Sequence, residues 1–131
     1  MTPAELVERG RRVIAQERDA LTETHRRLGD SFAAAVTLIA RARGRVIVAG
    51  IGKSGLVGRK IAATLTSTGT PAAFLHPVES MHGDLGIVGA DDVAVLLSKS
   101  GETAELVQLL DLLRRDGVKV IAVTAEATST L

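Results

Sequence analysis

The chain contains no cysteine, tryptophan or tyrosine, and only two phenylalanines. The absence of cysteine excludes a disulfide framework and any zinc site with thiolate ligands. Because aromatic residues are so few, the core must be built from valine, isoleucine, leucine and alanine. The 131 residues suffice for one domain with a real core, but they are short for a doubly wound sheet with all its covering helices.

The sequence also lacks a strong excess of either charge and a long apolar run. Its formal net charge is +1, so composition indicates no nucleic-acid partner. Arginines recur in the N-terminal third, but acidic residues alternate with them, which favours solvated helix faces. No apolar run approaches the roughly 20 residues that cross a membrane, and no signal-peptide pattern is present. We expect no membrane association and a cytoplasmic location.

The first 44 residues predict helices. Leu6, Val7, Val13 and Ile14 recur on one helical face, and apolar residues continue the helical spacing beyond them. The segment Gly29-Asp-Ser31 is typical of a break followed by a fresh N-cap. Two or three helices should therefore precede the first strand.

Residues 46–58 (Val-Ile-Val-Ala-Gly-Ile-Gly-Lys-Ser-Gly-Leu-Val-Gly) predict a buried strand, a glycine-rich turn and a helix that begins near Ser54. The uninterrupted apolar run is typical of a parallel strand covered on both faces. The first turn of a helix leaves N–H groups unpaired and carries about half a positive charge. A phosphate group would be favoured there, with Lys53 and the Ser54 hydroxyl in reach.

Three motifs compete for this turn, beside the possibility of a tight turn that binds nothing. Gly50-x-Gly-x-x-Gly55 matches the dinucleotide fingerprint, but the acidic residue required about 20 positions later is replaced by Ala73-Phe-Leu-His76. Gly52-Lys-Ser54 imitates the end of a P-loop, but the first glycine of that motif would fall at Ile47. The third interpretation, a sugar-phosphate site, depends on a second loop downstream.

Helices and strands alternate after this turn. The pattern predicts a helix over 56–68, a strand over 72–75, an irregular loop over 76–86, a strand over 93–97, a helix over 104–115 and a strand over 119–124. We expect Gly55 and Gly58 to allow the first of these helices to approach the sheet closely. This is an α/β fold with a parallel sheet and right-handed crossovers. In a common doubly wound order the first strand lies between the second and third, and ligands bind beyond the carboxyl ends of the first and third strands.

The loop Ser98-Lys-Ser-Gly-Glu-Thr103 follows the third strand and opens the next helix. We expect it to face the Ser54 turn beyond the carboxyl ends of the first and third strands. Two helix N-termini, one or two lysines and four hydroxyls would then surround a small volume, which suits a phosphate monoester better than a neutral ligand. The hydroxyls belong to Ser54, Ser98, Ser100 and Thr103.

The second loop resembles the phosphate-binding signature of the sugar isomerase (SIS) domain. Within that superfamily the chain resembles the D-arabinose-5-phosphate isomerases, in Gly50-Ile-Gly-Lys-Ser-Gly55, Ser67-Thr-Gly-Thr-Pro71, His76-Pro77 with Glu79, and especially His82-Gly-Asp-Leu-Gly86. The match runs from about residue 45 to 124. It implies a three-layer doubly wound parallel sheet of the flavodoxin-like type. Residues 1–44 would form N-terminal helices of the SIS domain that serve oligomerisation, and residues 45–131 a partial sugar-phosphate-binding domain.

The resemblance implies interconversion of D-ribulose 5-phosphate and D-arabinose 5-phosphate, on the route to 3-deoxy-D-manno-octulosonate for lipopolysaccharide or capsule. It implies no cofactor. By correspondence Ser54, Ser98, Ser100 and Thr103 would hold the phosphate. The reacting end of the sugar would be lined by Lys53, His82 and Glu105. Lys99 departs from the amide residue that the family commonly has there.

These residue types suit enediol chemistry, because that chemistry needs a base, proton relays and positive charge near an enediolate. Glu105 is the candidate base or relay, Lys53 the electrostatic partner, and His82 a group that serves oxygen or fixes its loop. Structural roles stay open beside these: Glu102 and Glu105 would also complement a helix dipole, and His82 could be an ordinary hydrogen-bonded histidine. No standard metal site matches the spacing of His76, Glu79, His82 and Asp84.

The family continues beyond residue 131 with a fifth strand, further helices and a segment that supplies another glutamate and a histidine. The chain therefore resembles a C-terminally truncated SIS domain. We expect it to bind a pentose 5-phosphate with little or no turnover, to be marginally stable, and to form a homo-oligomer (dimer or tetramer). The alternative is a non-catalytic sugar-phosphate sensor with the same domain.

Overall fold

The computed structural model describes residues 1–131, which divide into two compact units, 1–36 and 37–131. The elements in chain order are α1 (Pro3–Arg27), α2 (Asp30–Ala40), β1 (Val46–Gly50), α3 (Gly52–Ser67), β2 (Ala72–Leu75), α4 (Pro77–Ser80), β3 (Val93–Leu97), α5 (Ala104–Arg115) and β4 (Lys119–Val123). A single 3-10 turn, Asp84–Ile87, lies between α4 and β3. None of the helices combines the length and apolar character needed to span a bilayer.

Helix α1 is one continuous helix of 25 residues with no buried residue. Its start is fixed by a capping box, in which Thr2 and Glu5 exchange side-chain to backbone hydrogen bonds. The predicted break at Gly29 is confirmed, and the Gly29 carbonyl accepts from the N–H groups of Phe32 and Ala33 as α2 begins. Two helices therefore precede the first strand.

The four strands form one parallel sheet in the order β2-β1-β3-β4. The register aligns Val46 of β1 with Ala72 of β2 and with Val93 of β3. The predicted position of β1 between β2 and β3 is confirmed. Because all strands run in one direction, the loops that follow β1 and β3 leave the sheet at the same edge.

Both faces of the sheet are covered, which confirms the three-layer arrangement. Alternate residues of β1 enter different clusters, since successive side chains of a strand point to opposite faces. Ile47 and Ala49 pack with the buried leucines of α5, and Val48 packs on the other face with Ala62 of α3. All five residues of β1 and of β3 are buried, whereas β4 is largely exposed.

Glycines allow α3 to approach the sheet closely. A Cβ atom added at Gly55 would lie 2.7 Å from the Gly50 carbonyl oxygen, and one added at Gly58 would lie 3.0 Å from the Phe74 ring. The expected role of these two glycines is confirmed. The start predicted near Ser54 is two residues late, because α3 begins at Gly52, a difference within the usual uncertainty of helix ends.

Candidate functional site

The loops that leave β1 and β3 line one cleft of about 430 Å³. We call it the serine cleft, because α3 contributes Ser54 and the serine loop (residues 98–103) contributes Ser98, Ser100 and Thr103. The other lining residues are Ile51, Leu97, Lys99, Leu106 and Glu126. The expectation that the two strand exits meet at one place is therefore confirmed.

Neither helix that begins at the serine cleft receives a side-chain cap. Helix α3 has Ile51 at its N-cap, and isoleucine has no hydrogen-bonding side chain. Helix α5 has Thr103 there, but the Thr103 Oγ1 atom bonds instead to Ser98 Oγ at 2.9 Å. Because the first-turn N–H groups of both helices lack side-chain acceptors and carry partial positive charge, the cleft suits an anion.

The hydroxyls of the serine loop keep protons free for a ligand. Ser98 Oγ accepts the Gly101 N–H at 3.1 Å and shares one hydroxyl proton with Thr103, so the second proton of that pair has no protein acceptor. Ser100 Oγ accepts the Glu102 N–H at 3.2 Å, which leaves its own O–H group unused. Phosphate oxygens accept such donors well.

Lys53 borders a second cleft of about 450 Å³ that shares Ser54, Ser98 and Lys99 with the serine cleft. Both lysines are exposed. All ion pairs of the structure lie within residues 1–27, so neither lysine is neutralised by a protein carboxylate. Lys99 lines the serine cleft, so its charge is available to an anion there, whereas Lys53 borders only the adjoining cleft.

His82 and Glu105 are not among the residues that line either cleft. His82 is exposed between α4 and the 3-10 turn, and its backbone N–H donates to the Glu79 carbonyl at 2.9 Å. Glu105 is half-buried in the first turn of α5 and directly precedes Leu106, which lines the serine cleft. The structure forms no group of three or more histidine, aspartate and glutamate side chains that could hold a metal ion. The roles of His82 and Glu105 stay predictions.

Sequence patterns missed two features of this region. Glu126 lines the serine cleft from the segment after β4, and no local sequence pattern marked it as a site residue. Glu102, expected to complement the helix dipole, directly precedes the N-cap of α5 and accepts two hydrogen bonds from Thr130. The hydrogen bond from the Thr130 hydroxyl, followed by the one from the Thr130 N–H, holds the pKa of Glu102 below its usual value.

Comparison with known proteins identifies the family that this chain matches. The model of the SIS domain matches residues 38–131. Arabinose 5-phosphate isomerase KdsD of Pseudomonas aeruginosa is 49% identical over 97% of this chain, and arabinose 5-phosphate isomerase GutQ of Escherichia coli K12 is 44% identical over 96%. Superposition of this chain on the structure of E. coli CFT073 c3406 in complex with arabinose 5-phosphate gives a TM-score of 0.93, and the two sequences are 39% identical. The match covers 98% of this chain and 69% of that one.

The resemblance to arabinose 5-phosphate isomerases is confirmed by these identities. The chain spans 39% of the length of these two curated relatives. The family match covers both loops of the serine cleft and the whole parallel sheet. On this evidence the chain belongs to the SIS domain family.

Proposed function

We propose that this chain is the sugar-phosphate-binding part of an aldose–ketose isomerase that interconverts D-ribulose 5-phosphate and D-arabinose 5-phosphate. The observation that carries the proposal is the serine cleft, where two helices without side-chain caps begin beside hydroxyls with free protons. The names of the two isomerase relatives and the arabinose 5-phosphate complex of c3406 support the choice of substrate.

The phosphate is held at the serine cleft in this proposal. First-turn N–H groups of α3 and α5 donate to its oxygens, together with the hydroxyls of Ser54, Ser98, Ser100 and Thr103. Lys99, which lines the same cleft, adds positive charge at the edge of the site. Such a site recognises the phosphoryl group and leaves the sugar to the residues around it.

At the other end of the sugar the carbonyl moves between C1 and C2 through an enediol. A base removes the proton from one of these two carbons and a proton is returned to the other, while a proton passes from one oxygen to the other. Glu105 is the proposed base or relay, Lys53 the charge that stabilises the enediolate, and His82 a group that serves oxygen. Since only Lys53 of these borders a cleft in the single chain, we expect binding with weak turnover by the 131 residues alone.

The wider context belongs to the same proposal. The reaction needs no cofactor, and its product would feed 3-deoxy-D-manno-octulosonate and lipopolysaccharide synthesis in the cytoplasm. We propose a homo-oligomer formed through the N-terminal helices of residues 1–44, ahead of the partial SIS domain of residues 45–131. The support is that α1 buries none of its apolar residues, among them Leu6, Val13 and Ile14, within the single chain.

The test is calorimetric titration with D-arabinose 5-phosphate of the wild type and two serine variants. Ser54→Ala should weaken binding about tenfold, the loss expected for a hydrogen bond to a charged group. Ser67→Ala, at the far end of α3, removes only a bond to the Thr64 carbonyl and should leave binding unchanged. Equal affinity of both variants and the wild type would contradict the assigned site.

A non-catalytic sugar-phosphate sensor is the second candidate. It is favoured by the position of His82 and Glu105 outside the clefts. Glu105→Gln separates the two functions in the presence of both pentose phosphates. A sensor keeps its affinity and has no turnover to lose, whereas an isomerase keeps binding and loses measurable interconversion.

A further inference from the structure

We propose that the segment after β4 (residues 124–131) is part of the phosphate site, and that Glu102 and Thr130 form a clasp that positions the serine loop. The inference rests on the proposed function, because the serine loop is the proposed phosphate ligand. It adds two positioning residues that do not themselves line the cleft.

The clasp engages both oxygens of one carboxylate. The Thr130 N–H donates to Glu102 Oε1 at 2.7 Å, and the Thr130 O–H donates to Glu102 Oε2 at 2.7 Å. Hydrogen bonds to a charged acceptor are short and about twice as strong as neutral ones. The two donors together fix the position and the orientation of the Glu102 side chain.

Further bonds join the same two segments. The Lys99 carbonyl accepts the Ala125 N–H at 3.1 Å and the Thr124 O–H at 3.3 Å, and the Gly101 carbonyl accepts the Leu131 N–H at 3.3 Å. Gly101 has a φ of +69°, and a Cβ atom there would lie 2.1 Å from Ser129 Oγ. The serine loop is therefore held at residues 99, 101 and 102, with no space left for a side chain at residue 101.

Holding the loop matters because Glu102 lies between two proposed phosphate ligands, Ser100 and Thr103. A loop that is ordered before the ligand arrives binds more tightly than one that must be ordered on binding. The clasp also keeps the Glu102 carboxylate occupied by donors. A released carboxylate would be free to turn its negative charge towards the phosphate.

The experiment compares three threonine variants in titrations with inorganic phosphate and with D-arabinose 5-phosphate. Thr130→Val keeps the shape and the backbone N–H but removes the hydroxyl donor, and we expect binding of both ligands to weaken about three- to tenfold. Thr130→Ser restores the hydroxyl and should stay within about twofold of the wild type. Thr128→Val is the matched control, because Thr128 is exposed and makes no hydrogen bond.

Hydrogen exchange of the ligand-free protein tests the clasp without any binding. Amides of residues 98–106 should exchange faster in Thr130→Val than in the wild type and in Thr128→Val. Unchanged exchange there overturns the clasp, whatever the affinities. If the wild type binds neither ligand while Thr130→Val still accelerates exchange, the clasp between Glu102 and Thr130 stands, but the proposed function and the place of residues 124–131 in a phosphate site both fail.

Discussion

Gly55→Ala tests the close contact on which the serine cleft depends. In an open helix this substitution stabilises by about 0.5–1 kcal/mol, because alanine loses less backbone entropy than glycine. At Gly55 the new Cβ would lie 2.7 Å from the Gly50 carbonyl oxygen, which belongs to the backbone of β1 and has no rotamer by which to move. Helix α3 would have to shift away from the end of β1.

The two effects have opposite signs, and their magnitudes decide the outcome. Overpacking at a close contact costs about 1–3 kcal/mol, so we expect Gly55→Ala to lower the free energy of unfolding by about 1–2 kcal/mol after the propensity gain is subtracted. The shift would also move Ser54, the preceding residue of α3. The affinity for D-arabinose 5-phosphate should therefore fall together with the stability.

Urea denaturation followed by circular dichroism measures the stability, and Gly10→Ala is the matched control. Gly10 lies inside α1 with no atom within 4 Å of an added Cβ. The same substitution there should stabilise its helix by about 0.5–1 kcal/mol. If Gly55→Ala proves as stable as the wild type or more so, the contact between α3 and β1 does not constrain the cleft as argued.

Three further predictions concern charge and packing. Glu126→Gln should tighten phosphate binding about two- to fivefold, because it removes a negative charge from the lining of the serine cleft; calorimetry checks this, and weaker binding would give Glu126 a direct role in the ligand contacts. Leu109→Ala should lower the free energy of unfolding by about 2–5 kcal/mol, since Leu109 is fully buried between α5 and the sheet; a loss below about 1 kcal/mol in urea denaturation would contradict that packing. Hydrogen bonds from Arg26 and Arg27 lower the pKa of Glu23 from 4.5 to about 2. The stabilisation that these bonds give α1 is therefore complete above pH 4.5 and is lost as the pH falls towards 2. Carboxyl NMR titration should show the low pKa of Glu23, and an ordinary pKa would mean that the two ion pairs do not persist in solution.

Local sequence patterns were sufficient for the elements and for part of the site. The apolar run of β1 and the spacing of α5 are periodic signals, and such signals depend only on neighbouring residues. The glycines at positions 55 and 58 were predicted to allow close approach because no other residue lacks a Cβ atom. The hydroxyls of Ser54 and Ser98 were predicted to lie at one site, because ligands bind at the carboxyl ends of parallel strands.

Residues far apart in the chain were beyond that reasoning. Thr130 meets Glu102 across 28 residues, and no local pattern marks either as the partner of the other. Glu126 reaches the serine cleft only because β4 pairs with β3. The positions of His82 and Glu105 outside the clefts likewise depend on how the 3-10 turn and α5 pack.

By itself the sequence determined the order of helices and strands, the turns that need glycine, and the hydroxyl-bearing residues of the loops after β1 and β3. Periodicity, backbone freedom and donor chemistry are properties of a residue and its near neighbours. Only the tertiary structure decided which side chains share one cleft and which carboxylate finds a partner. Those outcomes depend on distances between segments that are brought together when the sheet assembles.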